Sequence, residues 1–415
     1  MINQARRANG RFMGAGAIIG VIIVVAGFVA FGYFGATRTE SSTSQPKTAP
    51  AVNGSCSAYG DEWLTYKHDS QRTGYSNFNF TSTTGKFLGQ LVWHSKTSGF
   101  SEMVSAHHEL FAAEYELDAL NSSNGALLWS VSTGAGPSPT LSSDGKVVYA
   151  GSNLRGGGGL SAYDPASGHS VPASNQAPDV ADACANAAYL SSGNGGFRYP
   201  TTDGRVVYSV IYNGTVTAFS ANSGALIWKQ ILPGAQTSTE ASNATTSTFS
   251  FNTSVTRTIT VTVNQGVIGD NTPPLAGGKL FVTTRGGHVY ALNATNGRQV
   301  WSTSLGATIY DPRASSAVGY GKLFLGTSKG LLAVSTFDGS VAWQAQLGSA
   351  YAWTPTVVDK TIFIADDNGT LYQFDANNGA LLWHFSGLGR GWVSEPIVAD
   401  GLIVIDSNNG VFAFR

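Results

Sequence analysis

Short runs of alternating apolar and polar residues recur along the chain from about residue 60 onward. A run such as HVYAL at 288–292 is followed by a turn rich in Asn, Asp, Ser and Gly, and then by a second apolar run that contains Trp. Alternation with a period of two predicts half-buried β-strands, and Gly beside Asn or Asp permits the tight turns of hairpins. The pattern therefore predicts meandering antiparallel sheets.

A longer repeat is superimposed on this pattern. A glycine is followed four residues later by a tryptophan in the segments that end at Trp129, Trp228, Trp301, Trp343 and Trp383, and the last three of these tryptophans are 42 and 40 residues apart. That period is typical of one four-stranded propeller blade. We expect a tryptophan at a fixed place in every sheet to pack between neighbouring blades. The predicted structural tryptophans are Trp93, Trp129, Trp228, Trp301, Trp343 and Trp383. Trp93 comes from a partial copy that is described in the next paragraph.

Two copies of the repeat are incomplete. The segment at 159–172 keeps the strand, turn and glycine but has Pro172 where the tryptophan should be, and the last copy ends at Arg415 before its final strand. The strand at 91–94 can supply that final strand, which would remove the open edge of the terminal sheets. We predict an all-β, seven-bladed β-propeller of four-stranded antiparallel blades, or an eight-bladed one if residues 235–272 hide another sheet. This Thr-rich insertion is predicted to form a projecting hairpin or an added edge strand.

The repeats resemble those of the PQQ-like β-propeller family, together with the segment DEWLTYKHDSQRTGYS at 61–76. The resemblance extends over residues 61–415 and implies the propeller fold. It leaves the function open, because the family includes quinoprotein dehydrogenases, outer-membrane assembly lipoproteins, and binding or sensor ectodomains. A quinoprotein dehydrogenase would be expected to have adjacent cysteines, which this chain lacks, and no cysteine directly follows the N-terminal apolar run as in a lipoprotein. No cofactor is therefore predicted, with PQQ and calcium as the alternative.

The first residues predict a location. Residues 1–11 are basic, and the uncharged stretch at 12–36 is long enough to cross a bilayer. We interpret 12–36 as a transmembrane signal anchor with its N-terminus in the cytoplasm, the alternative being a cleaved signal peptide. Residues 37–55, rich in Ser, Thr and Pro, read as a flexible stalk, and 56–415 as the propeller outside the cytoplasm.

Composition agrees with an exterior protein. Only 12% of residues are charged and the net charge is −1, which gives no electrostatic basis for binding nucleic acid. Cys56 and Cys184 are candidates for a disulfide in an oxidising exterior, the alternative being two free thiols. Eight Asn-x-Ser/Thr sequons are candidates for glycosylation: Asn53, Asn79, Asn121, Asn213, Asn243, Asn252, Asn293 and Asn368.

Motifs for catalysis are missing from the sequence. No GxSxG, HExxH, Walker or Rossmann pattern lies in a suitable context. His107 and His108 lie in a run that alternates like a strand, so their side chains are expected on opposite faces and not around a shared metal. We predict neither catalytic nor metal-binding residues.

The candidate ligand site is the mouth of the central channel. Recurrent prolines align the innermost strands of the blades, and the residues around them would form an aromatic and polar ring. Asp311 and Glu395 could do acid–base work or hold Ca²⁺. The alternative is that these groups pair with one another and plug the channel. The ring contains Arg198, Tyr199, Asp311, Trp353, Arg390, Trp392 and Glu395.

These observations favour a non-enzymatic role. The sequence predicts a single-pass, membrane-anchored ectodomain that acts as a scaffold and binds a protein or a glycan at the cell surface. The alternatives are a quinoprotein-type oxidoreductase that binds PQQ and calcium, and an envelope-assembly or sensor module.

Overall fold

The structure is a computed structural model of the whole chain. It describes residues 62–65, 67–69, 71–80, 86–96, 103–113, 116–132, 139–142, 145–151, 160–171, 201–210, 214–220, 225–233, 247–249, 257–259, 272–309, 315–349 and 351–415. The predicted anchor at 12–36, the stalk at 37–55 and both cysteines lie outside these residues. In the described ranges, no helix is long and apolar enough to cross a membrane.

Antiparallel four-stranded sheets dominate the fold, as the alternating pattern predicts. Five sheets are built from four strands that are consecutive in sequence, and the last of these five sheets has a fifth strand that is described below. They are β3–β6 (Met103–Ala106, Glu109–Ala113, Glu116–Asn121, Leu127–Ser132), β10–β13 (Thr201–Thr202, Val206–Val210, Thr215–Ser220, Leu226–Ile231), β16–β19 (Leu275–Ala276, Lys279–Thr283, His288–Asn293, Gln299–Ser304), β20–β23 (Ala317–Gly319, Lys322–Thr327, Gly330–Ser335, Val341–Ala345) and β24–β27 (Thr356–Val358, Thr361–Ala365, Thr370–Asp375, Leu381–Ser386).

Three further sheets depart from this plan. A three-stranded sheet corresponds to the degenerate copy, and Pro172 itself lies outside the described residues. A two-stranded sheet lies in the Thr-rich insertion, which confirms that this segment forms a strand pair. The last sheet joins the two ends of the repeat region. In the same order, the strands of the three sheets are β7–β9 (Thr140–Leu141, Val148–Gly151, Leu160–Tyr163), β14–β15 (Ser247–Phe249, Arg257–Ile259), and β28–β30 (Ile397–Ala399, Leu402–Ser407, Gly410–Phe414) together with β2 (Leu91–Ser95).

The predicted closure by the N-terminal strand is confirmed. β2 pairs antiparallel with β30, and its register places Leu91 opposite Phe414 and Trp93 opposite Ala413. A bulge between Leu91 and Trp93 matches the bulges opposite the other repeat tryptophans, for example at Ala119/Leu120. The N-terminal strand thus completes the C-terminal sheet and covers its edge.

The repeat tryptophans join neighbouring sheets, as predicted. The Trp93 indole N–H donates to the Ser122 carbonyl at 2.9 Å, and that of Trp228 donates to the Ala294 carbonyl at 2.8 Å, in each case across to another sheet. Each ring also covers the turn glycine of the neighbouring sheet, so that glycine cannot carry a Cβ. The pairs are Trp93 with Gly125, Trp129 with Gly168, Trp228 with Gly297, Trp301 with Gly339, Trp343 with Gly379 and Trp383 with Gly89.

These pairs give a partial ring of sheets. They join the β2/β28–β30 sheet to β3–β6 and then to β7–β9, and they join β10–β13 through β16–β19, β20–β23 and β24–β27 back to Gly89, just before β2. Residues 172–200, between β9 and β10, lie outside the described residues. The blade number of seven therefore stays a prediction.

His107 and His108 do not lie on a strand, and the prediction for them was wrong. They form the two-residue turn between β3 and β4, and both have positive φ angles, of 53° and 68°. A tight hairpin turn requires such angles, and His tolerates them better than most residues. His107 lies 3.6 Å from the Glu62 carboxylate, and His108 lies 2.5 Å from that of Asp400, so the two rings have different partners.

Four of the candidate glycosylation sites lie among the described residues. Asn79 and Asn368 are exposed, whereas Asn121 and Asn293 are half-buried at turns. The side-chain oxygens of these last two residues accept backbone N–H bonds from Ser123 and Thr295. Their turn role follows from the repeat, and glycosylation stays a prediction. The other four sites, Asn53, Asn213, Asn243 and Asn252, lie outside the described residues.

Candidate functional site

The first strands of the sheets meet at the centre of the fold, where the aligned prolines predicted them. β28 contacts β3, β3 contacts β7, and β20 contacts β24. The space between these strands contains residues 63–76, which we call the axial segment; residues 66 and 70 within it lie outside the described residues. In the sequence this segment contributes to the family resemblance, and its pattern does not indicate a position at the centre of the fold.

Main-chain hydrogen bonds hold the axial segment against five different first strands. Trp63 and Ser105 of β3 exchange two such bonds, at 2.8 and 2.9 Å. At the other end of the segment, β1 (Tyr75–Ser76) pairs in parallel with β24. Because the backbone groups of strands at a sheet edge need partners, this segment satisfies edges that would otherwise face the channel. The remaining bonds are Leu141 N–H to Leu64 O, Leu275 N–H to Gln71 O, Val318 N–H to Thr73 O and Val357 N–H to Gly74 O.

A buried ion pair fixes the segment to a sixth first strand. Glu395, two residues before β28, accepts the Lys67 backbone N–H at 3.0 Å, and its other oxygen lies 3.5 Å from the Lys67 ammonium. Lys67 Nζ also donates to the Pro355 carbonyl at 3.1 Å. Both side chains are almost completely inaccessible to solvent. Burial raises the pKa of Glu395, and the charge and hydrogen bonds of Lys67 oppose this shift only in part.

A buried aromatic pair lies next to the ion pair. The rings of Trp63 and His68 meet edge to face, with their centroids 4.8 Å apart. His68 is only 5% exposed, and neither ring nitrogen has a hydrogen-bond partner among the described residues. Burial lowers the pKa of His68 to about 4, so its ring is neutral at physiological pH.

The next residue, Asp69, shapes the turn that reverses the axial segment. Its carboxylate accepts the backbone N–H of Thr73 at 2.9 Å and the Thr73 hydroxyl at 2.5 Å. Burial raises the pKa of Asp69 to about 6, although Thr73 and Arg72 both favour the charged form. The Arg72 guanidinium is itself buried and donates to the Thr65 hydroxyl at 2.6 Å.

The predicted ring of ligand-binding residues is only partly described. Trp353 and Trp392 come together with their rings edge to face at 6.5 Å, both half-buried. Arg390 is exposed and donates to the Asn368 side-chain oxygen at 3.1 Å. Glu395 is buried in the pair with Lys67, which is not a member of the predicted ring. Arg198, Tyr199 and Asp311 lie outside the described residues.

The polar groups of the centre are arranged for structure. Among the residues that the structure describes, no group of three or more His, Cys, Asp or Glu side chains could hold a metal ion. Glu395, the carboxylate of the predicted ring that lies among the described residues, accepts the Lys67 backbone N–H. A signal for the axial segment exists in the sequence: Lys67, His68, Asp69 and Arg72 cluster in a chain in which only 12% of residues are charged.

His68 should make folding stability sensitive to acid. Its pKa falls from 6.5 in the unfolded chain to about 4 in the fold, so the unfolded state binds more protons between these values. The free energy of unfolding therefore falls as the pH falls from 6.5 toward 4. The loss is about 3 kcal/mol, at 1.36 kcal/mol per pH unit. Asp69 acts in the opposite direction, because its pKa is raised from 3.8 to about 6 in the fold. The free energy of unfolding is lowered in full by this shift above pH 6, and it is not lowered below pH 3.8.

The comparison that isolates His68 uses His68→Phe, which keeps a ring against Trp63. Urea denaturation at pH 7 and pH 4 should show that the wild type loses about 3 kcal/mol more than this variant. His169→Phe, at an exposed histidine, is the control and should follow the wild type. An equal loss in the wild type and His68→Phe would contradict the assignment.

The architecture defines the class of protein. Four-stranded antiparallel meanders, first strands in contact around a centre, and a tryptophan that covers the next sheet's turn glycine are the features of a PQQ-like β-propeller. The family described as "Outer membrane protein assembly factor BamB" matches residues 113–258 and 156–415, and the chain belongs to this family.

Curated relatives carry the same description. Outer membrane protein assembly factor BamB of Yersinia pestis is 28% identical over 151 residues, 33% of this chain and 38% of that protein. The protein of this name from Moranella endobia is 26% identical over 247 residues, 54% of this chain and 57% of the relative. The chain thus spans less than two thirds of the length of these relatives.

A solved structure supports the fold alone. The quinohemoprotein alcohol dehydrogenase of Comamonas testosteroni is 12% identical, and the match covers 85% of this chain and 80% of the dehydrogenase with a TM-score of 0.50. Likeness at this identity carries no information about activity.

Proposed function

We propose that this chain is a non-catalytic scaffold that binds a protein partner in the assembly of the cell envelope. The observation that carries the proposal is the axial segment. In a propeller, the central channel is where a small cofactor or substrate would sit, and here the chain's own residues fill it with hydrogen bonds to five first strands. The surface that suits a protein partner is the outside of the sheets and their loops.

PQQ with calcium does not fit the described centre. Of the two predicted calcium ligands, Glu395 is held by Lys67 and Asp311 lies outside the described residues. The ring of Trp63 packs against His68. A cofactor there would have to displace this buried ion pair. We therefore derive no reaction step from PQQ.

The outer strands offer apolar surface that suits a protein partner. Pairs of large aliphatic residues precede the repeat tryptophans and face solvent, among them Leu127 with Leu128 and Leu381 with Leu382, each 47% to 53% exposed. Exposed apolar surface of this kind favours association with other proteins. The relatives' description as assembly factors supports the same role.

The proposed location follows from the sequence alone. The uncharged stretch at 12–36, after the basic N-terminus, would hold the scaffold at the outer side of a membrane. Fractionation of cells that express the full chain should recover it with membranes, and a chain lacking 12–36 should be released. Recovery of the full chain in the soluble fraction would contradict this location.

Two measurements test the function. Melting of the full-length protein with PQQ and CaCl₂ should leave the transition unchanged, whereas a ligand at about 100 times its dissociation constant would add roughly 2.7 kcal/mol. In cells, a photo-crosslinking residue at Leu128 or Leu382 should capture an envelope-assembly protein. The buried position Leu120 is the control and should capture none. Stabilisation by PQQ, or crosslinks to no other protein, would overturn the proposal.

A further inference from the structure

A cavity of about 450 Å³ lies beside the axial segment, at the turns between β16 and β17 and between β20 and β21. Asp69, Thr73 and Tyr75 of the axial segment form one side. Gly277 and Tyr320, in the two turns, lie on the sheet side. The volume is within the range of small-molecule sites, roughly 300–1,000 Å³.

Tyr320 is an unusual residue for its position. It has a positive φ of 50°, in a two-residue turn where Gly, Asn or Asp is the normal choice. A bulky residue in this conformation is strained, and such residues cluster at sites of function. The residue is 45% exposed, so a large part of it faces solvent.

The Tyr320 ring forms an aromatic wall of the cavity. It meets the Tyr75 ring edge to face, with the centroids 5.8 Å apart. Its hydroxyl accepts the Lys360 backbone N–H at 3.1 Å, which holds the ring in place. A ligand with a flat apolar face could therefore stack at this wall.

The polar groups of the cavity have balanced charges. Asp69 and Lys279 are the charged residues among the described lining, so a net cation or a net anion would be repelled by one of them. The Asp69 carboxylate accepts two hydrogen bonds from Thr73 and a backbone hydrogen bond from Arg72, which leaves one of its four lone pairs for a ligand. Lys279 is a donor without acceptor capacity. A neutral ligand with hydroxyl groups matches both, because each hydroxyl can donate to the carboxylate or accept from the ammonium.

We propose that this cavity binds a neutral oligosaccharide, with a sugar ring against Tyr320 and hydroxyl groups between Asp69 and Lys279. The site is separate from the protein-binding surface proposed above, since the exposed aliphatic pairs lie on the outermost strands. Gly277 provides bare backbone on the opposite wall, where an added Cβ would meet no atom within 4 Å.

Binding of maltotriose and of N-acetylchitotriose to the full-length protein tests the proposal by calorimetric titration. At least one of the two should bind, and Tyr320→Asn should weaken it by about tenfold or more. Asn adopts positive φ readily, so this variant should melt close to the wild type. Gly277→Asn, which keeps a residue that tolerates its φ of 55°, should also weaken binding by partly filling the cavity.

Tyr351→Asn is the matched control, because Tyr351 is similarly exposed and is not part of the cavity lining. It should bind the saccharide as the wild type does. Failure of both saccharides to bind would overturn the proposal. Equal binding by the wild type and both cavity variants would overturn it as well, as would binding of a lysine-rich peptide in place of the saccharides.

Discussion

Glu395→Ala should destabilise the propeller by about 3–5 kcal/mol, because it removes the carboxylate that lies 3.5 Å from the buried Lys67 ammonium. The same substitution removes the acceptor of the Lys67 backbone N–H, which lies at 3.0 Å from Glu395. The Lys67 ammonium still donates to the Pro355 carbonyl, but a neutral acceptor does not replace a carboxylate beside a buried charge. Urea denaturation at pH 7 measures the difference through the midpoint at constant slope.

Two further variants separate the charge from the hydrogen bond. Glu395→Gln keeps an oxygen for the Lys67 N–H and should lose less stability than Glu395→Ala. Glu116→Ala, at an exposed carboxylate that accepts a hydrogen bond from Ser130, should change stability by no more than about 0.5 kcal/mol. If Glu395→Ala were as stable as the wild type, the axial segment would not be anchored through this pair.

Gly297→Ala should lower the free energy of unfolding by about 3 kcal/mol, because it combines backbone strain with a steric clash. Gly297 has a φ of 71°, which costs an L-residue roughly 1–2 kcal/mol, and an added Cβ would lie 2.5 Å from the Trp228 ring. Overpacking a fixed ring adds about 1–3 kcal/mol. Trp228 cannot move away easily, since its indole N–H is bonded to the Ala294 carbonyl.

Gly278→Ala is the matched control for this prediction. Gly278 has nearly the same φ, 69°, and an added Cβ there would meet no atom within 4 Å. It should therefore show the backbone cost alone, about 1–2 kcal/mol. Combining Gly297→Ala with Trp228→Leu should give less than the sum of the two single effects, because the smaller side chain makes room for the methyl group. Equal losses in Gly297→Ala and Gly278→Ala would show that the ring does not restrict the turn.

The features that could be predicted from the sequence are those that repeat. Trp93 and its equivalents recur at one place in each copy, so one physical argument about packing applied to all of them, and the glycine contacts confirm it. The closure of β30 by β2 followed from an incomplete last copy. The prolines before the first strands likewise marked strands that meet at the centre.

The features that could not be predicted belong to segments without a repeat. Residues 63–76 have no counterpart in the other copies, and their partners lie on sheets far away in sequence. Neither periodicity nor propensity encodes such contacts. His107 and His108 were assigned to a strand because apolar residues alternate on both sides of them. Only the backbone angles of the hairpin show that the alternation is interrupted there.

The axial segment also dictates when this protein can become native. Lys67 and Glu395 are 328 positions apart in the sequence, and β2, near the start of the repeat region, pairs with β30 at its end. Contacts so distant in sequence are formed late, because the loop between them must close before they stabilise anything. As synthesis proceeds from the N-terminus, residues 63–76 are made before any of the sheets that they contact. Their contacts are complete only after the last sheet, β28–β30 with β2, has been synthesised and has folded. During that interval the incomplete sheets expose apolar surface and unpaired edges, so a chaperone that holds the nascent chain should raise the yield of folded protein.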